Sequence, residues 1–124
     1  MYGKPEDVIR DTGISPKQMQ CQDDEELKKV LKEWLENVSA AIDARLKRTV
    51  KEDDRDHKVV SDIAVRTVNK MVSYTKQVRK EQIIKFEGES LDQALNTTKF
   101  YQDLTKELKD ANLLPQGKVN VFLA

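Results

Sequence analysis

The chain is poor in residues that break, crosslink or anchor structure. Its 124 residues include one cysteine, three prolines, four glycines and one histidine, and aromatics make up only 6%. The single cysteine, Cys21, cannot form an intrachain disulfide, which suits a reducing compartment. No apolar run approaches the ~18 residues of a membrane span. The opening MYGKPEDVIRD has no basic start followed by an apolar stretch, so no secretion signal is expected. There is also no excess of one charge. Lysine plus arginine number 22 and aspartate plus glutamate number 22. A protein that coats DNA or RNA needs surplus cations to displace counterions, so that class is disfavoured.

What remains is a chain in which 35% of residues are charged and 38% hydrophobic. That composition points to amphipathic helices with charged outer faces. Pro5 with Glu6 and Asp7 favours a helix start, and Gly13 a stop, so a short helix is expected over 5–12. Pro16 then holds Ser15 extended. Asp23 and Glu26 form a capping-box-like start. Leu27, Val30, Leu31, Trp34, Leu35, Val38, Ala41, Ile42 and Leu46 follow at spacings of 3 and 4, predicting a helix over 23–49, with Trp34 as a core anchor.

After the charged run 51–58, a third helix is expected over 57–79. Val59, Val60, Ile63, Ala64, Val65, Val68, Met71, Val72, Tyr74 and Val78 cover more than half its circumference, so it should be the central helix. Residues 81–88 alternate weakly and end in Gly88, predicting a short extended loop or hairpin. Ser90 and Gln93 cap a fourth helix over 91–111, with Asn112 as its stop. The expected fold is all-α: a small bundle of three long helices plus a short N-terminal one. Residues 1–111 would form the bundle and 112–124 an extended C-terminal tail.

Patterns that carry chemistry are scarce. His57 lies beside Asp53, Asp54 and Asp56, but that run lacks the glycine and ligand spacing of a calcium loop. One cysteine and one histidine cannot close a zinc site. No Gly-rich phosphate loop is present, and neither Cys21 nor any Ser or Thr has a base placed beside it by sequence. No enzyme activity, cofactor or metal is expected. Arg45, Lys47, Arg48 and Lys51 end the second helix, where its dipole favours cations. Arg66, Lys70, Arg79 and Lys80 form a second cationic group on or beyond the third helix. Ile83, Ile84 and Phe86 place three large apolar side chains in one short loop. Val119, Val121, Phe122 and Leu123 do the same in the tail. The loop is expected to be covered by another surface, and the tail either to fold back on the bundle or to dock on a neighbour by adding a strand.

One stretch carries a family pattern. Glu6-Asp7-Val8 stands near the N-terminus, and from Val38 a helix ends at Ile42-Asp43-Ala44-Arg45. A polar linker leads to Ser61-Asp62-Ile63-Ala64-Val65-Arg66-Thr67-Val68-Asn69-Lys70-Met71-Val72, and Val78-Arg79-Lys80-Glu81 precedes the turn. This order, spanning 38–90, resembles the head–tail connector (head-completion, adaptor) proteins of long-tailed bacteriophages. It departs from them at Tyr74-Thr75-Lys76, where the family often has an Asn-Pro pair, and in the full helix expected over 91–111.

The resemblance implies a structural virion protein that forms a homo-oligomeric ring, commonly of about twelve copies, beneath the portal protein. Such a ring extends the DNA channel without sequence-specific binding and gives a tail or stopper protein its docking surface. It implies loop contacts through Arg79, Lys80, Ile83, Ile84 and Phe86, and tail contacts through Val119, Val121, Phe122 and Leu123. Arg66 and Lys70 would be candidate channel-facing cations. The alternatives are a small terminase-like packaging ring and a cytoplasmic helical regulator that binds a partner. Residues 5–20 are too short and too interrupted by proline for the terminase's helix-turn-helix.

Overall fold

The computed structural model of the protein describes residues 1–81 and 98–114, apart from the side chains of 78–81 and 98. Four helices occur among them: α1 (Pro5–Thr12), α2 (Asp24–Leu46), α3 (His57–Glu81) and α4 (Thr98–Asp110). A single 3-10 turn, Lys17–Met19, links α1 to α2. The described residues contain no strand, and the architecture is the expected all-helical bundle. Helix α3 runs through Glu81, where the extended loop or hairpin was expected to begin; the rest of that loop over 82–88, the start of the fourth helix over 91–97 and the tail beyond Leu114 lie outside the described residues.

Local chemistry sets most helix ends. Pro5 begins α1, and Gly13 ends it at φ 66°, its N–H bonded to the Ile9 carbonyl. Asp23 caps α2 by accepting the Glu26 N–H at 2.9 Å, and Glu26 reaches back to accept from the Gln22 N–H at 2.8 Å. The reciprocal bond thus lands one residue before the cap. Asn112 takes φ 60°, and the Leu113 N–H closes on the Leu108 carbonyl at 3.0 Å, so α4 stops where a left-handed residue was expected.

The end of α2 differs from expectation. The helix stops at Leu46 rather than near residue 49, because Lys47 turns left-handed at φ 59°. Val50 is then carried inward, 3% exposed, and its N–H meets the Tyr2 hydroxyl at 2.8 Å. Tertiary demand overrides local helix propensity here.

Helix α3 is central, as expected. It touches α1, α2, α4 and the 3-10 turn. Val60, Ile63, Ala64, Val65, Val68, Met71 and Val72 are buried on it. The hydroxyls of buried Thr67 and Thr75 bond the Ile63 and Met71 carbonyls, both at 2.9 Å, so neither is stranded in the core. Val59 is an exception to the apolar pattern, at 41% exposed. Trp34 packs on the rim of the core, half-buried, and does not fill its centre. The centre belongs to Leu27, Leu31, Leu35, Val38 and Ile42 of α2.

Candidate functional site

Helices α3 and α4 run antiparallel and are joined along their outer edge by charge. Arg66 donates to Glu107 through Nε at 2.8 Å and Nη2 at 2.7 Å. One helical turn on, Lys70 lies 3.6 Å from Glu107 and 4.0 Å from Asp103. Both cations stay about half exposed, at 52% and 46% for their side chains. The two candidate channel-facing residues are therefore neutralised within their own chain.

Beyond this ladder a groove of about 670 Å³ opens between the helices. Tyr74 and Phe100 form its aromatic wall, meeting edge to face with centroids 5.8 Å apart. Lys70, Gln77, Lys99 and Asp103 line the rest. Among the described residues the groove is lined by aromatic, amide and hydroxyl groups and by charges of both signs.

A second polar centre is built around Tyr2, which is 3% exposed. Its N–H donates to the Ser39 hydroxyl at 2.8 Å, and its phenol donates to the Asp43 carboxylate. The ring meets His57 edge to face at 5.8 Å. Burial, then the bond to Asp43, raises the Tyr2 phenol above its ordinary pKa. The sequence shows no sign of this role: a lone aromatic ahead of α1 belongs to no periodic stripe.

The acidic run after α2 closes on a cation. Arg48 bonds Asp54 at 2.9 Å and Asp56 at 3.2 Å. The Asp56 amide, and then the Arg48 guanidinium, hold the Asp54 carboxyl below its ordinary range. Among the described residues, no group of His, Cys, Asp and Glu could hold a metal ion. Cys21 is half-buried against the core, its thiol 3.6 Å from the Met19 carbonyl.

Arg45 crosses from α2 to α4. Its Nε donates to Thr105 at 2.6 Å and its Nη1 to the Ala41 carbonyl at 3.1 Å. The guanidinium sits 5.7 Å from the centre of the Tyr101 ring. Burial raises the Tyr101 phenol above its ordinary pKa, while the Arg45 charge opposes that rise. The sequence placed Arg45 in a basic helix end. Its partner on α4 is set by packing.

Arg79 and Lys80 belong to α3 by backbone, but their side chains are outside the described residues. Ile83, Ile84, Phe86, Val119, Val121, Phe122 and Leu123 are outside them entirely. No described helix is long and apolar enough to cross a membrane. No protein-family model matches the chain, and neither a curated protein nor a solved structure matches it.

Proposed function

We propose that this chain is a structural subunit of a tailed-phage particle, a ring-forming head–tail connector without catalytic activity. The order of residues 38–90 carries the reading: a helix ending at Arg45, a polar linker, and a Val-, Arg- and Met-bearing helix closed by Val78-Arg79-Lys80-Glu81. The ring docks under the portal protein, extends the DNA channel and presents a surface to a tail or stopper protein.

Charge supports the same role. A channel wall must let DNA slide, and free lysines and arginines would grip phosphate. Arg66 and Lys70 are held by Glu107 and Asp103, so a wall built from this face presents neutralised cations. A packaging ring of the small-terminase kind is less well supported. Helix α1 is followed by a three-residue 3-10 turn where a helix-turn-helix needs a second helix.

Electron microscopy of the purified protein, alone and mixed with portal, tests the proposal. Closed rings, or added density beneath the portal, are the expected result. A chain that stays monomeric at tens of micromolar in the presence of portal overturns it.

A further inference from the structure

Arg45 is a partly buried guanidinium with no acidic partner among the described residues. Its two hydrogen bonds go to neutral oxygens, those of Thr105 and Ala41. Nη2 donates to none of the described residues. The planar fork of a guanidinium matches a carboxylate. The cation opens onto a pocket of about 250 Å³ that Tyr101, Gln102 and Thr105 line with it. This volume accommodates one acidic side chain.

The opposite charge lies at the other end of the same helix. Asp23 and Glu26 are occupied in capping α2, but Asp24 and Glu25 are exposed and have no cation within ion-pair distance among the described residues. At 1.5 Å per residue they stand about 30 Å from Arg45 along α2. They cannot reach it within one chain. The first turn of α2 carries Asp24, Glu25 and Glu26, and its last turn carries Arg45. A head-to-tail contact between copies brings the two ends together, and such heterologous contacts form a ring when the rotation between copies closes.

We infer that Arg45, Tyr101, Gln102 and Thr105 form a socket for a carboxylate, which Asp24 or Glu25 of a second copy of this chain supplies. The inference rests on the ring-forming reading and names one contact between its subunits. The contact lies near the surface, so it sets the register of neighbouring copies and weakens with salt.

The test is sedimentation velocity at low salt under conditions in which the wild-type chain assembles. R45E is expected to raise the apparent dissociation constant by up to about fivefold, as loss of one near-surface pair implies. The D24K/E25K variant, altered only at exposed positions, should weaken assembly by a similar factor with its helical circular dichroism unchanged. The triple variant R45E/D24K/E25K should recover assembly, because each copy then offers a lysine to its neighbour's glutamate. Free anions in solution cannot produce that rescue. Assembly that ignores D24K/E25K, or a triple variant no better than R45E, overturns the socket and leaves the ring reading standing. A wild-type chain that never self-associates overturns both.

Discussion

The phenol of Tyr2 donates to the carboxylate of Asp43, joining residues 41 positions apart in a part-buried contact. The same oxygen accepts from the Val50 N–H, so one side chain ties the N-terminus to α2 and to the start of the α2–α3 connection. Tyr2→Phe keeps the ring but strands the Val50 N–H and one Asp43 oxygen. It should cost about 1–3 kcal/mol. Tyr2→Ala also empties the ring's place in the core and should cost about 3–5 kcal/mol. Urea unfolding of the two variants measures both costs. Equal midpoints for wild type and Tyr2→Phe would show that the hydrogen bonds contribute nothing net.

The same phenol makes stability depend on alkaline pH. In the unfolded chain a tyrosine ionises near its ordinary value of 10.0, whereas folded Tyr2 keeps its proton to higher pH. Between those two values the unfolded chain has released a proton that the folded chain holds. Stability is complete below about pH 10 and declines as pH rises through the folded pKa. Tyr101 is raised as well and adds to the slope. Melting temperature followed from pH 8 to 11.5 should fall for wild type, less for Tyr2→Phe, and least for Tyr2→Phe/Tyr101→Phe.

Gly3 and Gly13 both have positive φ, at 80° and 66°. Their surroundings differ. A Cβ on Gly3 would stand 2.6 Å from Val65 Cγ2, while one on Gly13 meets nothing within 4 Å. Gly13→Ala should cost only the left-handed backbone penalty of about 1–2 kcal/mol. Gly3→Ala carries a similar penalty plus the displacement of Val65, and should cost about 1–3 kcal/mol more. Chemical denaturation of the two variants side by side isolates the packing contribution.

The helices were legible where their signals are local. Pro5, Gly13, Asp23 and Asn112 mark ends that a few neighbouring residues decide, and each stands where the chain turns. The 3/4 spacing of α2 and the apolar breadth of α3 likewise identify the bundle and its central helix. The end of α2 was not legible, because it depends on Tyr2 and Val50, which are 48 residues apart. Arg66 and Lys70 were recognisable as members of a cationic group on the third helix. Their pairing with Glu107 and Asp103 follows from the antiparallel packing of α3 on α4, which no local pattern encodes.

The tail offers a further expected outcome. Val119, Val121 and Leu123 alternate with Asn120 and Phe122, a strand-like pattern rich in apolar residues. On the proposed ring, deleting 118–124 should leave helical circular dichroism unchanged and weaken assembly measured by sedimentation. Loss of helicity on deletion would assign the tail to the core instead.

Helix α4 is held by two kinds of contact, and their magnitudes separate them. Leu104 and Leu108 are fully buried, and Leu104→Ala should cost about 2–5 kcal/mol at any salt concentration. Glu107 serves both Arg66 and Lys70, yet those cations are half in water, where exposed pairs contribute only about 0.2–1 kcal/mol each. Glu107→Gln should therefore cost about 1 kcal/mol at low salt and less at 1 M, where the Debye length falls to about 3 Å. Guanidinium would mask this difference by its own ionic strength, so urea titrations at the two salt concentrations are the suitable measurement. A Glu107→Gln cost as large as that of Leu104→Ala, and insensitive to salt, would mean that the ladder anchors α4. The opposite result leaves the apolar face as the anchor and the ions as the means of fixing its register on α3.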